Sequence, residues 1–427
     1  MDKIKYVVIG AGSRGAMYAN QAKKYCPELE LVAVADQNPV RRNYIKENFG
    51  LSDECCYECG EDLLALPKMA DAAIIATQDK DHYSLAMKAI EKGYHLLLEK
   101  PIAPTPEECV AIEKAANEKG VMILVCHVLR YTPFFTIIKK IIDDGKIGKP
   151  MNVIHVEAVQ DLHYSHSYVR GDWHKTSQSA PMILAKSCHD IDIIQWLINE
   201  RCTKVQSFGS LTYFCGDNKP DGAPEFCYQG CPHEEECPYS AIKLYRNRQV
   251  GWFAPQATKI PSPTPEDIEK LITETNYGRC VFQCDNDVVD QQVVNMEFES
   301  GTTASFVMSA FNQGGRRIRI MGTKGELEGS MGQDYITVYN FSTRESEQIY
   351  IRDFVADESI VGGHGGGDAG IVRAFGKLMT GTYTGSSFAN ITTSVDNHLT
   401  TFAAEKSRLT DKVVFMNEYR NELYNQD

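Results

Sequence analysis

Apolar residues in the first third of the chain fall in short unbroken runs. Tyr6-Val7-Val8-Ile9, Leu31-Val32-Ala33-Val34-Ala35, Ala72-Ala73-Ile74-Ile75-Ala76, His95-Leu96-Leu97-Leu98 and Val121 to Val125 show little alternation, as strands of a parallel sheet do when both faces are covered. Between them, helical patterns run over Ser13 to Tyr25, Pro39 to Asn48, His82 to Lys92 and Pro106 to Lys119, two of them opened by proline, which suits a first helical turn. This alternation predicts a doubly wound α/β domain over residues 1–125.

The pattern changes after Cys126. Strand candidates Met151 to Val159, Lys204 to Phe214 and Gln291 to Ala310, the last folded back at Ser300-Gly301, lie close together. Such hairpins favour antiparallel pairing, so residues 126–427 are expected to form an α+β domain with a large, mostly antiparallel sheet. One helix is predicted over Pro181 to Ile198, and C-terminal helices within 369–409, at Ala369 to Met379 and Thr392 to Leu409, followed by a polar tail. The segment 214–269, rich in Pro, Gly and Cys, reads as an irregular insertion or lid.

The first strand breaks into Gly10-Ala11-Gly12-Ser13-Arg14-Gly15. This G-x-G-x-x-G spacing between strand and helix suits a dinucleotide: Gly10 turns the chain, Gly12 admits a pyrophosphate, and Gly15 lets helix and strand pack, with the helix N-terminus facing the negative charge. Ser13 and Arg14 stand in the same turn. Asp36 ends the second strand, where a carboxylate accepts from a ribose diol. Arg41 and Arg42 follow and could receive a 2'-phosphate, but Asp36 would repel one, so NAD is favoured over NADP. Thr77-Gln78-Asp79 closes the third strand in a polar loop at the ligand-binding edge, with Thr77 a further cofactor contact.

Charge and cysteine content narrow the class. A net charge of −13 argues against nucleic acid and anionic membrane, both of which need a basic surface. No apolar run spans a bilayer, and the first strand begins within a few residues, leaving no room for a signal peptide. Fourteen cysteines without such a signal point to a reducing cytoplasm and free thiols.

Lys100 leaves the strand His95 to Leu98 on the same sheet edge as the glycine turn, flanked by Pro101, which fixes the turn, and Glu99, expected to hold the ammonium. The glycine turn, Asp36, Glu99-Lys100-Pro101, Arg130-Tyr131-x-Pro133 and His189-Asp190-Ile191-Asp192 together resemble the Gfo/Idh/MocA family. That resemblance implies a Rossmann domain, a catalytic lysine at Lys100, Glu99 within the cofactor-side motif, and a sheet domain that serves as oligomer interface, so a homodimer or homotetramer. It also implies hydride transfer between a sugar or cyclitol alcohol and NAD(P), with His189 as acid/base. Family members place an Asp four residues before that histidine. Here Ala185 stands there and Lys186 one position nearer, sharing a helical face with His189, so Lys186 is a candidate to share the proton work.

His163, Tyr164, Arg170 and Trp173 lie in a polar, aromatic loop of the kind that binds sugar C–H faces and hydroxyls. His364, in Gly363-His364-Gly365-Gly366-Gly367-Asp368, is a further substrate-site candidate, since sequences resembling this one place such a stretch beside the cleft. Cys227, Cys231 and Cys237 with His233 supply three thiolates and an imidazole that could clip the insertion with a structural metal, but they lack the close pairs of zinc sites, so no metal is assigned and the alternative is buried or free thiols. The reading is an NAD-dependent oxidoreductase acting on a sugar, sugar derivative or cyclitol. The alternatives are an NAD-dependent glycosidase using transient oxidation and elimination, and a non-enzymatic NAD sensor.

Overall fold

The computed structural model describes residues 3–247, 250–260, 262–354 and 363–425. The N-terminal elements alternate as the hydrophobic runs predict: β1 (Ile4–Ile9), α1 (Ser13–Tyr25), β2 (Leu29–Ala35), α2 (Pro39–Phe49), β3 (Cys56–Tyr57), α3 (Gly60–Ala65), β4 (Ala72–Ile75), α4 (His82–Glu91), β5 (His95–Leu98), α5 (Pro106–Lys119) and β6 (Ile123–Val125). Six strands pair in the order β3-β2-β1-β4-β5-β6, every pair parallel. The order reverses beside β1, the switch point where doubly wound sheets bind ligands. Prediction missed the small β3 and α3, whose two and six residues are too short to carry a period.

The second half begins with α6 (Pro133–Asp143), β7 (Pro150–Ala158), α7 (Asp161–Tyr164), α8 (Met182–Ala185), α9 (Cys188–Ile198) and β8 (Cys202–Ser210). It continues through α10 (Phe253–Thr258), α11 (Pro265–Glu274), β9 (Gln291–Phe298), β10 (Thr303–Ser309), β11 (Gly315–Gly322), β12 (Gly325–Ser330), β13 (Tyr335–Asn340) and β14 (Ser346–Tyr350). α12 (Gly367–Met379), α13 (Ile391–Thr410), β15 (Val414–Phe415) and α14 (Met416–Tyr424) close the chain. Nine strands form one sheet, β14-β13-β12-β11-β7-β10-β9-β8-β15, antiparallel apart from the β7/β10 pair. Val153, His155 and Glu157 of β7 are buried on its inner face, against α9. α12 packs on α1 and α13 on α5, so the C-terminal helices grip the N-terminal sheet's own helices.

Three expectations change. The helix predicted over Pro181 to Ile198 is broken: Lys186 ends α8 with φ −112° and Ser187 opens α9, because the chain turns there to bring its backbone against Lys100. The polar tail is structured, since Met416, Tyr419 and Leu423 recur at helical spacing and are buried. The insertion carries a small core of its own, in which Leu244, Tyr245, Phe253, Leu271 and Ile272 pack together.

Candidate active site

The glycine turn has the shape its spacing predicts. Gly10 has φ +87°, and a Cβ there would meet Ala76 O at 2.5 Å; one on Gly15 would meet Gly10 O at 1.9 Å. At Gly12 the nearest atom to such a Cβ is Arg41 Nη1, at 3.4 Å. The backbone is therefore open at the one position where a pyrophosphate must approach, and Ser13 opens α1 directly behind it with Gly12 as its N-cap. Asp36 sits at the end of β2, its carboxylate accepting from Ala11 N at 2.6 Å and Asn38 N at 2.8 Å, which leaves lone pairs for a ribose diol. The Thr77 hydroxyl is buried without a hydrogen-bond partner among the described residues. An open glycine, an anchored carboxylate and an unsatisfied hydroxyl along one sheet edge fit NAD.

Arg14 and Glu99 turn inward instead. Arg14 Nε lies 2.7 Å from Glu99 Oε1, and Arg14 Nη2 lies 2.9 Å from Asp368 Oδ1. Tyr18 donates to Glu99 at 2.5 Å and the Lys100 backbone N–H at 2.9 Å. Burial raises the Glu99 pKa, but Arg14, Lys100 and these hydrogen bonds outweigh it and hold the carboxyl at about 2. Glu99 thus binds the Lys100 main chain and does not hold its ammonium. That group reaches the second half of the chain, where Lys100 Nζ donates to Ala185 O at 2.8 Å. Position 185, where the resemblance leads one to expect an Asp, thus contributes its main-chain carbonyl.

Lys186, next in sequence, is largely but not fully buried, with 18% of its side chain exposed, and burial lowers its pKa while Glu157 opposes the shift; Arg316 and Lys100 lower it further. Its Nζ is 3.5 Å from Glu157 Oε1. Arg316 Nε lies 2.8 Å from Glu157 Oε2 and 2.7 Å from Asp190 Oδ1, and His155 Nε2 is 2.8 Å from the same Asp190 oxygen. His189, one residue before Asp190, is buried at the start of α9. The sequence reading missed Glu157 and Arg316. Their signal was period-two placement: His155 and Glu157 are polar residues on the strand face that Val153 shows to be inward.

A second buried network lies behind Lys100. Arg130 holds Asp192 with two bonds of 2.8 Å, and Asn397 adds a third to that carboxylate. His127 is held at about 4 and His398 at about 3, in both cases chiefly by burial. His398 Nε2 accepts from Ile102 N at 3.2 Å, just past the cis Lys100–Pro101 bond.

The aromatic loop divides. His163 is half-buried, with its ring 5.2 Å from Trp252 and 6.2 Å from Tyr168; Trp173 lies 6.3 Å from Tyr168. Tyr164 is no substrate contact, because it is fully buried and its hydroxyl bonds Val288 O and Val289 O. Arg170 is a latch: its guanidinium donates to Arg279 O at 2.8 Å and Tyr239 O at 2.9 Å, tying the loop to the insertion. The His364 side chain lies outside the described residues. Cys227, Cys231 and Cys237 are free thiols, and His233 Nε2 bonds Asp221 O. Among the described residues no three His, Cys, Asp or Glu side chains are placed to hold a metal ion, and no helix is long and apolar enough to cross a membrane.

Residues 4–127 match a family described as "Oxidoreductase family, NAD-binding Rossmann fold", and residues 139–359 match its C-terminal alpha/beta domain. A Bacillus subtilis protein named "Putative oxidoreductase YteT" is 25% identical over 360 residues, covering 81% of this chain and 82% of its own. Inositol 2-dehydrogenase/D-chiro-inositol 3-dehydrogenase of Lactiplantibacillus plantarum is 27% identical over 205 residues, 48% of this chain and 55% of that protein. In fold, the chain is similar to levoglucosan dehydrogenase, solved with NADH and L-sorbose (TM-score 0.70, 18% identity, 97% of this chain and 99% of that one). It is similar too to an Agrobacterium radiobacter oxidoreductase solved with NAD+, L-tartaric acid and magnesium (TM-score 0.67, 14% identity, 97% and 99%). With both halves matched in order, the chain belongs to the Gfo/Idh/MocA family of oxidoreductases, built on an NAD-binding Rossmann fold.

Proposed function

We propose that this enzyme oxidises, or in reverse forms, a secondary alcohol of a sugar, sugar derivative or cyclitol. NAD, when bound at the glycine turn, supplies the two-electron acceptor. His189 takes the hydroxyl proton, and the Lys100 ammonium, held on Ala185 O, orients the hydroxyl oxygen and stabilises its developing negative charge. Lys186, whose Nζ is 3.5 Å from Glu157 Oε1 and whose pKa burial lowers, shares the proton work with His189. The observation that carries this reading is the single bond from Lys100 to Ala185, which joins the cofactor edge of the parallel sheet to the helix break that presents His189.

Self-association as a homodimer or homotetramer through the outer face of the large sheet belongs to the same reading, supported by Ile154 and Phe208, apolar residues exposed there. The deciding experiment is mass spectrometry of nucleotide released from purified protein, joined to NADH formation with a panel of sugars, cyclitols and glycosides. Lys100→Ala and His189→Ala should each lower turnover about a hundredfold or more with NAD binding intact; near wild-type rates in both would overturn the assignment. Release of aglycone without net NADH would replace it with the glycosidase reading.

A further inference from the structure

Four cysteines from two separate stretches of the chain line one cavity. Cys227, Cys231, Cys237 and Cys280 share its wall with Arg170 and His233. Local turns bring them there. The short turn Cys227–Gln229 ends on Gly230, whose φ of +81° bends the chain toward Cys231. Cys237 N–H closes a second turn on His233 O at 2.9 Å. Cys280 comes from beyond the insertion and is pinned beside it, because Arg279 bridges Phe226 and Cys280 N–H donates to Glu225 O at 2.9 Å. A fifth cysteine, Cys284, stays out of the cavity, its thiol donating to Cys280 O at 3.4 Å.

Charge is what the cavity wall lacks. Arg170 is 2% exposed, yet its hydrogen bonds go only to Arg279 O, Tyr239 O and the Cys227 sulfur, the last at 3.8 Å. Its Nη1 has no hydrogen-bond partner among the described residues, and the neighbouring Tyr245 stays a neutral phenol because burial raises its pKa. A buried guanidinium without an anion is costly, and thiolates are the anions this wall can supply. Two sulfurs are prepared for that form: burial raises the pKa of Cys237 and Cys280, but main-chain hydrogen bonds from Tyr239 and Phe282, each two residues on, oppose the shift, as does the Arg170 charge.

We propose that Cys227, Cys231, Cys237 and Cys280 hold a thiophilic metal centre through four thiolates, with Arg170 balancing its net negative charge. Cys280 takes the place that the sequence offers to His233, whose Nε2 bonds Asp221 O at 2.8 Å. As they stand, no three of these side chains are placed for a single ion. Binding therefore either draws the sulfurs together around one zinc ion, coupling to order in this segment, or spans them with an iron–sulfur cluster in which each thiolate takes its own iron. In both cases the centre is a structural clip. Arg170 bonds the carbonyls of Arg279, next to Cys280, and Tyr239, two residues past Cys237, and so ties the centre to the loop that follows β7.

The test takes the full-length protein, purified anaerobically without a histidine tag. Metals and acid-labile sulfide are measured, and reduced, chelator-treated protein is titrated with Zn2+ alone. The wild type should carry, or take up, about one zinc per chain, or carry about four irons with matching sulfide; the sulfide tells the two apart. Cys237→Ser and Cys280→Ser should each keep less than about a tenth of that content, while Cys284→Ser, outside the cavity, keeps all of it. Alkylation of the wild type gives a second answer that needs no variant to fold: Cys227, Cys231, Cys237 and Cys280 should react only after a chelator is added. A wild type with less than about a tenth of an equivalent of any metal and no uptake of Zn2+, full metal content in Cys280→Ser, or alkylation of the four thiols that a chelator does not change would each overturn the site.

Discussion

Arg14 Nη2 lies 2.9 Å from Asp368 Oδ1, a pair 354 residues apart in sequence. It joins the helix that opens the dinucleotide turn to α12, and through Glu99 it reaches the residue beside Lys100. Both carboxylates are buried and share one guanidinium, so neutralising Asp368 costs a charge-assisted bond while Arg14 keeps Glu99. Asp368→Asn keeps the shape and removes the charge; it should cost about 2–3 kcal/mol of stability and weaken NAD binding by loosening the N-terminus of α1. Denaturant melts with and without NAD measure both effects.

Glu99 also sets an acid limit. Its folded-state pKa of about 2 lies below the ordinary 4.5, so its stabilisation is present above pH 4.5 and is lost as pH falls toward 2. The shift corresponds to about 3 kcal/mol at neutral pH. In Arg14→Met that depression should largely vanish, and unfolding curves between pH 5 and pH 3 should become flatter than those of the wild type.

Buried histidines act at higher pH. His127, His166 and His398 are held neutral by burial, at about 4, 3 and 3 against an ordinary 6.5. Below pH 6.5 the unfolded chain takes up protons that the folded chain refuses, so stability falls as pH drops, by up to about 1.4 kcal/mol per unit for each histidine. Melting from pH 7.5 to 5 should show the decline starting near 6.5, and His398→Gln should reduce its slope.

Glu157→Gln separates the two lysines' roles. Glu157 is what opposes the lowering of the Lys186 pKa by burial, so its loss should let Lys186 deprotonate at lower pH. If the cationic form is required, the alkaline limb of the kcat profile moves to lower pH, while the affinity for NAD stays within about twofold. An unmoved profile would remove Lys186 from the chemistry.

Arg170→Met tests the latch. The guanidinium satisfies one buried and one part-buried carbonyl, so the variant should lose about 2–3 kcal/mol, with protease cuts appearing first in the insertion. Tyr164→Phe should cost about 1 kcal/mol and leave KM unchanged, because its hydroxyl bonds main chain in the core.

Local rules made much of this protein legible in one dimension. Unbroken apolar runs require a sheet covered on both faces, and glycines at the end of the first run are demanded by a positive φ at Gly10 and by close approach at Gly15; both depend on neighbours in sequence. Lys100 and Asp36 could be singled out for the same reason, as residues at strand ends, whereas His189, inside a predicted helix, was singled out by the family resemblance. Partnership could not. Glu99 and Lys100 are adjacent, yet one side chain binds Arg14 and the other Ala185, since successive residues leaving a strand point to opposite sides. Tyr164 and Arg170 have the residue types of a sugar site, and the packing of the insertion turned both inward. The sequence alone determined the longer strands and helices of the N-terminal sheet and which chemistry its edge can present. Tertiary structure decided which charges are buried together, because a buried ion is tolerated only beside its partner, and those partners come from elements far apart in the chain.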